Sequence, residues 1–346
     1  MKALRLRQFG RLLLEDMPPP EPAPDEVLVK VLAAGICGTD LKLLHGHHGA
    51  YTEGGAELPI TPGHEWGGVV VAVGEGVTRF APGDLVTGET GLGCLRCEYC
   101  LTGRHNLCPS VVETGIFGRD GAMRELHLHP EVFTHSAAGL TAEQAALVEP
   151  ASVAVHACRR GRVSLGDNVA VLGCGPIGLL AVQAARAFGA RRVLATSRSR
   201  PKLDLASELG ADSVVRVTDE DLSAAAQDFT SGEGFDTVIE CSGSPQALEQ
   251  ALEIARPGGT LALVGGYEGP LQHRLIDIVG KELDLAGCRG SPHVWPETID
   301  LLRHGQIKVE PVISHRFALR DYEKAFELAE RGGPDVLKIL LLPQEV

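Results

Sequence analysis

The sequence predicts an α/β protein with a doubly wound parallel sheet and a second, mainly β region. From Asn168 onwards, short apolar strands alternate with helices, which is typical of a parallel sheet covered on both faces. The first third of the chain has short apolar alternations and many glycines instead. A length of 346 residues exceeds one ordinary core and favours two domains.

The composition indicates which kinds of binding partner the protein is expected to lack. The formal net charge of -13 argues against nucleic acid or an anionic membrane, because both favour a basic surface. Residues 1–7 show no signal-like apolar region, and the longest uncharged run, 168–185, is broken by glycine and proline. We therefore expect a cytoplasmic protein without a membrane partner. Nine cysteines then favour metal or free thiols over a disulfide framework.

The first clear strand leads to a candidate metal ligand. The proline-rich segment 18–24 cannot continue a sheet ladder, and the predicted strand Val27–Ala34 follows it. Cys37 comes soon after that strand, at a strand end where ligands are common. A buried structural cysteine is the alternative, and it would be favoured if no second ligand were in view.

The stretch Gly63-His64-Glu65 supplies that second ligand. A neutral imidazole, a thiolate and a carboxylate can hold a catalytic zinc while one position stays open for water or substrate. Cys37, His64 and Glu65 are therefore candidates for one site. An isolated His-Glu pair is more often a surface pair or a satisfied core histidine, so its surroundings decide.

Those surroundings match a known signature, since Gly68, Gly74 and Val77 follow the pair. Here the sequence resembles the zinc-containing medium-chain dehydrogenases, whose signature is Gly-His-Glu, two residues, Gly, five residues, Gly and a small apolar residue three further on. The resemblance implies a GroES-like catalytic domain beside a Rossmann domain, a nicotinamide cofactor and a catalytic zinc with Cys37 as its first ligand.

The resemblance also gives Thr39 a role. Its hydroxyl would hydrogen-bond the substrate oxygen and start a proton relay. The alternative role of Thr39, which is compatible with the first, is to cap the next helix. The family's relay commonly continues to a histidine five residues after the cysteine, and this chain has Lys42 there. Candidate substitutes for that histidine are His45, His47 and His48.

Four cysteines form the pattern C-x2-C-x2-C-x7-C in a loop rich in glycine and arginine. Four thiolates so close together satisfy a closed tetrahedral zinc, which replaces the core that a small lobe cannot build. A redox dithiol needs only two of them, an iron–sulfur site normally has other spacings, and the acidic charge disfavours a nucleic-acid zinc ribbon. The structural zinc lobe is predicted at 91–110, with ligands Cys94, Cys97, Cys100 and Cys108.

The passage Leu147–Gly161 is similar to sorbitol and related polyol dehydrogenases. The similarity implies that Glu149 approaches the zinc, directly or through water; the alternative is a solvated carboxylate at a helix start. Segment 287–292 resembles a polyol-enzyme segment with an arginine near the substrate, here Arg289, followed by Gly290 where those enzymes have tyrosine. A surface arginine is the alternative. Asp321–Glu330 and Leu337–Leu342 are predicted as a helix and a final strand without chemical signals.

The strand Val169–Leu172, the turn Gly173-x-Gly175-x-x-Gly178 and the helix Leu179–Phe188 form a βα unit typical of a Rossmann fold. Backbone N–H groups of such a turn and the helix N-terminus hold a pyrophosphate. Further predicted elements are the strands Arg192–Thr196, Thr237–Glu240, Thr260–Val264 and Asp284–Ala286, and the helix Gln246–Ile254.

The loop after Thr196 predicts the choice of cofactor. NAD-preferring units place an acid about 20 residues beyond the glycine turn, whereas an arginine accommodates the 2′-phosphate of NADP. Ser197 stands where polyol dehydrogenases usually have the acid, and Arg198 and Arg200 follow; a solvated basic loop is the alternative. The cofactor-binding candidates are Gly173, Gly175, Pro176, Ile177, Gly178, Ser197, Arg198, Arg200 and Arg289.

Together these motifs predict a zinc-dependent oxidoreductase that transfers hydride between a polyol or other secondary alcohol and NADP(H), preferred over NAD(H). We expect a catalytic domain at 1–151, a dinucleotide-binding domain at 152–286, a return to the catalytic domain at 287–346, two zinc ions, and a homo-oligomer, either dimer or tetramer. Alternatives are an NAD-dependent L-threonine or 2,3-butanediol dehydrogenase, and a non-catalytic NADPH-binding homologue. The catalytic candidates are Cys37, Thr39, His64, Glu65 and Glu149.

Overall fold

The computed structural model describes residues 1–267 and 275–344. Internal contacts divide the chain into two compact units. The first comprises Met1–Glu149, Trp295–Arg303 and Ile313–Val346, and the second comprises Pro150–Val294 and His304–Val312. These are packing units, and the functional limits expected from the sequence stay a prediction. None of the described helices is long and apolar enough to cross a membrane.

The N-terminal part of the first unit consists mainly of strands. The proline-rich segment 18–24 contains no strand, in agreement with its missing backbone donors. The elements in chain order are β1 (Lys2–Gln8), β2 (Arg11–Asp16), β3 (Glu26–Ile36), α1 (Gly38–Leu44), α2 (Gly49–Thr52), β4 (Glu65–Val73), β5 (Leu85–Gly88), β6 (Gly91–Leu92), α3 (Glu98–Leu101), β7 (Val112–Thr114), β8 (Gly118–Arg119), β9 (Leu126–Pro130), β10 (Thr134–Ser136) and α4 (Ala142–Ala146).

The second unit alternates strands and helices as predicted. Its elements, beginning with a helix that starts in the first unit, are α5 (Val148–Arg160), β11 (Asn168–Leu172), α6 (Pro176–Ala187), β12 (Arg192–Ser197), α7 (Arg200–Glu208), β13 (Ser213–Arg216), α8 (Leu222–Thr230), β14 (Phe235–Glu240), α9 (Pro245–Ile254), β15 (Ala255–Leu263), α10 (Leu275–Lys281) and β16 (Asp284–Gly287). Helix α6 begins three residues before the predicted Leu179, because proline fits the first helical turn.

The described strands of the second unit form one parallel sheet in the order β13-β12-β11-β14-β15-β16. This is the doubly wound order of a Rossmann fold, and the strand order reverses between β11 and β14. Every residue of β11 is buried, as expected for a central strand covered on both faces. The predicted α/β fold class is confirmed.

The chain end completes the seven-stranded sheet of the first unit, whose other described strands form a two-stranded sheet (β1 and β2) and a three-stranded sheet (β6, β7 and β8). Its last elements are α11 (Trp295–Arg303), β17 (Ile313–Ala318), α12 (Tyr322–Arg331) and β18 (Lys338–Leu342). Strand β18 pairs antiparallel with β3 and parallel with β17, so the described strands run in the order β10-β5-β4-β3-β18-β17, with β9 also paired to β3. Gly35 on β3 therefore lies opposite Glu65 on β4 and Leu340 on β18.

Two histidines on β9 lie in the interior of this unit. The rings of His127 and His129 are fully buried, 5.1 and 5.2 Å from the ring of Trp66. Arg124 hydrogen-bonds His127 Nδ1 at 3.1 Å, whereas neither ring nitrogen of His129 has a partner among the described residues. Burial, with nearby positive charge, lowers the pKa of both histidines well below the ordinary value. Both rings are therefore neutral in the folded protein.

We predict that this pair makes the first unit sensitive to acid. Below about pH 6.5 both histidines become protonated in the unfolded chain but stay neutral in the folded chain. Each histidine therefore lowers the free energy of unfolding by about 1.4 kcal/mol for every unit by which the pH falls. Replacing His129 by leucine should remove about half of this slope between pH 6.5 and 5.5. Urea unfolding followed by tryptophan fluorescence measures it, since both tryptophans, Trp66 and Trp295, belong to this unit.

The exposed His47 offers the matched control. His47→Leu should keep the wild-type slope. An unchanged slope in His129→Leu would show that the buried ring already titrates in the folded state.

Candidate functional site

Strand β3 and helix α1 position the first candidate ligand. Cys37 is the N-cap residue of α1, and its backbone N–H donates to Asp40 Oδ2 at 2.8 Å. The hydroxyl of Thr39 lies 3.8 Å from Cys37 Sγ. Because Cys37 occupies the cap position, the alternative role of Thr39 as the helix cap is wrong, and its hydroxyl stays beside the thiol.

The structure brings Cys37, His64 and Glu65 together, with one ligand atom from each lying within 4.8 Å of the others. His64 and Glu65 are only 4% and 1% exposed. Neither His64 Nδ1 nor Glu65 Oε2 has a hydrogen-bond partner among the described residues. Buried polar atoms without partners are costly, and a cation would satisfy the carboxylate oxygen. This donor set of thiolate, imidazole and carboxylate fits zinc.

Two residues that the sequence did not single out support these ligands. Lys338, at the start of β18, is 4% exposed, and its Nζ lies 2.6 Å from Glu65 Oε1 and 3.2 Å from Ile36 O. The expectation that the final strand carries no chemical signal is therefore wrong. A single lysine within an otherwise apolar strand was the available clue. Asp40 is also buried, with Oδ1 3.7 Å from His64 Nδ1.

Glu149 lies in the first turn of α5 and is 7% exposed, so the alternative of a solvated carboxylate is wrong. Thr90 Oγ1 donates to its Oε1 at 3.2 Å. Burial raises the pKa of Glu149 to about 7, although His64 opposes this. Glu149 is not part of the group of ligand atoms within 4.8 Å. Glu149 therefore lies close enough to His64 for their charges to interact, but it is not a fourth close ligand.

The negative groups around His64 favour the binding of a positive ion at this site. Burial alone would lower the pKa of His64, but Asp40, Cys37 and Glu149 raise it well above the ordinary value. Burial likewise lowers the pKa of Lys338, yet Glu65 and Cys37 raise it overall. Several acidic groups therefore surround a small volume in which Lys338 and, with no metal bound, His64 are the positive side chains described. A divalent cation would compensate this excess.

The four cysteines of the lobe form a second cluster. Their sulfurs all lie within 4.8 Å of one another, and Cys97 Sγ is 3.5 Å from Cys100 Sγ. This separation is far longer than a disulfide bond of about 2.05 Å and close to the edge of a tetrahedron with Zn–S of about 2.3 Å. Backbone N–H groups lower the pKa of Cys94 to about 6, while burial raises that of Cys100 to about 12. The cluster, Cys94, Cys97, Cys100 and Cys108, fits a closed zinc site.

The glycine turn has the geometry that a pyrophosphate needs. Gly173 has a φ of 99°, and a Cβ at Gly178 would lie 1.8 Å from Gly173 O, so both positions require glycine. A Cβ at Gly175 would meet nothing within 4 Å, leaving one side of the turn open. Pro176 and Ile177 begin α6, whose N-terminal N–H groups face this turn.

The predicted 2′-phosphate loop follows the neighbouring strand. Ser197 ends β12, and its hydroxyl accepts from the N–H of Ser199 at 3.1 Å. Arg198 is exposed, whereas Arg200 Nε is 2.9 Å from Asp204 Oδ1. Arg289 is exposed just beyond the end of β16. All these side chains stand at the carboxyl edge of the parallel sheet, where open α/β folds bind ligands.

Comparisons with known proteins agree with this fold. Residues 23–139 match the family model described as alcohol dehydrogenase GroES-like domain, and residues 176–304 match that of zinc-binding dehydrogenase. Sorbitol dehydrogenase of Bacillus subtilis (strain 168) is 34% identical over 346 residues, which is 99% of this chain and 97% of that protein. L-Threonine 3-dehydrogenase of Bacillus licheniformis is 38% identical over 333 residues, covering 95% and 94%.

A solved structure, described as a zinc-binding dehydrogenase from Sinorhizobium meliloti 1021 bound to NADP, superposes with a TM-score of 0.91 at 35% identity and covers 99% of each chain. Fold and site thus define a zinc-containing dehydrogenase of the medium-chain type. The chain belongs to the zinc-binding alcohol dehydrogenase family and is an NAD(P)-dependent alcohol or polyol dehydrogenase. The resemblance derived from the sequence is confirmed.

We predict that Lys338 is needed to keep Glu65 in place. Lys338→Met leaves a buried carboxylate without its cation, and losing one partner of a buried pair costs about 3–5 kcal/mol of unfolding free energy. The double variant Lys338→Met/Glu65→Gln should regain most of that loss because both charges are gone. Urea unfolding of the purified variants checks this. Equal losses in the single and double variants would show that the ion pair does not decide stability.

Proposed function

We propose that the protein transfers hydride between a polyol or other secondary alcohol and NADP(H), with a catalytic zinc held by Cys37, His64 and Glu65. The observation that carries the proposal is the convergence of three different ligand types on one buried spot where a carboxylate oxygen has no partner. The family membership reported above supports the reaction class.

When bound, zinc acts as a Lewis acid that makes the substrate hydroxyl more acidic, and the nicotinamide ring exchanges the hydride. The chain's own residues supply positioning and proton transfer. Thr39 places a hydroxyl beside Cys37, where it can accept the proton of the alcohol while it passes its own hydroxyl proton onward to solvent. Lys338 holds one oxygen of Glu65, and the other oxygen, which has no partner among the described residues, would bind the metal. Glu149, held by Thr90, is placed to assist ligand exchange.

The second zinc belongs to the lobe at 91–110, where it has a structural role. The four cysteine sulfurs would fill all four positions of a tetrahedral ion, which would leave none for substrate. We therefore propose two zinc ions per chain, one in a catalytic site with a free coordination position and one in a closed structural site.

The substrate class rests on the relatives. A polyol is favoured by the full-length match to sorbitol dehydrogenase, whereas the threonine dehydrogenase match has slightly higher identity. Assay of polyols, 2-alcohols and L-threonine by absorbance of the reduced nicotinamide decides between them.

We propose further that the protein is a cytoplasmic homo-oligomer. Strand β16 is at the edge of its sheet, and its Leu285 is 43% exposed. Ile276 and Val279 on α10 are 58% and 72% exposed. An exposed apolar edge strand favours pairing with a second copy.

Removing the catalytic ligand should separate chemistry from cofactor binding. His64→Ala is expected to lose at least ~10²-fold in turnover, because Lewis-acid stabilisation contributes several kcal/mol. Binding of the reduced dinucleotide, measured by its fluorescence, should stay at the wild-type level. Metal analysis should find two zinc ions per wild-type chain and one in the variant. The exposed control His304→Ala should match wild type throughout, and near wild-type turnover in metal-depleted His64→Ala would exclude the zinc mechanism.

The proposed preference for NADP rests on Ser197 and Arg198. With no acid at position 197, the phosphate meets no repulsion, and one charge-assisted hydrogen bond of about 1.5–3 kcal/mol shifts preference about tenfold or more. We therefore expect kcat/KM to favour NADP, and Ser197→Asp/Arg198→Leu to reverse the order. Arg200→Leu should have the smaller effect, since Arg200 already pairs with Asp204. Equal use of both cofactors by the wild type at moderate salt would refute this assignment.

A further inference from the structure

A buried carboxylate outside both metal sites joins two histidines. Glu89 directly follows β5 and is 8% exposed. Its Oε2 lies 2.7 Å from His105 Nε2, and its Oε1 lies 3.0 Å from His135 Nε2. Burial raises the pKa of Glu89, but hydrogen bonds from the two imidazoles bring it below the ordinary value. An ionised carboxylate only accepts, so both histidines must donate from Nε2.

Aromatic contacts hold the two imidazoles against this carboxylate. The ring of His135 stacks on Trp295, with centroids 5.5 Å apart and planes 13° apart. The ring of His105 packs edge-on against Phe133 at 5.4 Å. The N–H of Glu89 also donates to Phe133 O at 3.0 Å. Contacts with Trp295 and Phe133 thus hold Glu89 and both of its histidine partners in place.

One of the two histidines belongs to the four-cysteine lobe. His105 O accepts from the N–H of Cys108, one of the candidate zinc ligands, at 3.0 Å. Gly93 lies between the sulfurs and the histidine: a Cβ there would be 2.7 Å from Cys100 Sγ and 2.8 Å from His105 Cβ. The position of His105 therefore depends on the arrangement of the sulfurs.

The residue after Glu89 reaches the other metal site. Thr90 Oγ1 donates to Glu149 Oε1 at 3.2 Å, and Thr90 O accepts from the N–H of Thr114 at 2.8 Å. Covalent and hydrogen bonds thus run without a gap from Cys108 through His105, Glu89 and Thr90 to Glu149. Such a path becomes a coupling only if a change at one end alters the other.

We propose that Glu89 is a positioning residue that couples the metal state of the four-cysteine lobe to the carboxylate of Glu149. This inference rests on the proposed function, because it takes Glu149 to stand beside the catalytic zinc. When the lobe loses its metal, His105 is released and Glu89 loses one of its two donors. Thr90 then shifts, and Glu149 moves with it.

Cobalt substitution at the catalytic site, with zinc retained in the lobe, tests the coupling without measuring turnover. The visible absorption of Co(II) reports the geometry of its ligands and of groups hydrogen-bonded near them. Glu89→Gln should change this spectrum and speed the loss of lobe zinc to a chelator about tenfold, as replacements around metal ligands typically do. The matched control is Glu98→Gln, which removes an exposed carboxylate from the lobe itself and should change neither quantity.

A second variant isolates the last step of the path. Thr90→Val should change the cobalt spectrum and leave the loss of lobe zinc at the wild-type rate. The Glu89→Gln/Thr90→Val variant should then show no further spectral change than either variant alone, because both act through one path.

Faster loss of lobe zinc in Glu89→Gln with a wild-type cobalt spectrum would make Glu89 merely structural and overturn the coupling. If Glu89→Gln does not fold, a wild-type spectrum in Thr90→Val overturns it as well. Failure of Cys37, His64 and Glu65 to bind cobalt at all would refute the proposed function instead, so the two failures are distinguishable.

Discussion

The pairing of β3 with β4 and β18 is the constraint on which the candidate metal site depends. Gly35 lies opposite Glu65 on one side and Leu340 on the other. A Cβ at position 35 would lie 2.0 Å from Glu65 Oε2, so only glycine leaves room for the carboxylate. Strand β18 then brings Lys338 to Glu65 from 273 residues away in sequence. The buried ion pair that holds the ligand Glu65 therefore forms only after the chain end has joined the sheet.

The Glu65–Lys338 pair and the four-cysteine cluster solve the problem of buried charge in different ways. A lysine on one carboxylate oxygen offsets the cost of burying Glu65 and lowers the negative charge that its other oxygen offers to a metal. A ligand weakened in this way can be exchanged, which suits a site that must admit substrate. The cysteines of the lobe have no cation in that role among their described contacts. In the proposed zinc site the metal itself would neutralise them, and its binding would become part of folding.

Local patterns explain what the sequence could predict. The glycine turn, the parallel strand order and the approach of Cys37 to His64 and Glu65 follow from motifs that span few residues or from the family signature. Lys338, Asp40 and Glu89 were missed because their importance arises from the register between distant strands and from burial, neither of which a single sequence displays. Lys338 left a faint trace, a charge in an apolar strand. Glu89 left none, since glutamate before a glycine-rich loop is ordinary.

In the second unit, the fold determines where the loop after β12 lies, whereas individual side chains determine the charge of that loop. The N–H of Gly173 is bonded to Thr196 O at 3.0 Å and lies 3.3 Å from Thr196 Oγ1, so the glycine turn and the end of β12 are held together. The loop that begins at Ser197 thus has a fixed place relative to the turn. The positive charge of this loop has no fixed position, because Arg198 is exposed and makes no ion pair among the described residues. If this loop meets the ribose 2′ position as proposed, cofactor preference depends on one or two surface side chains and can change without any change in the sheet.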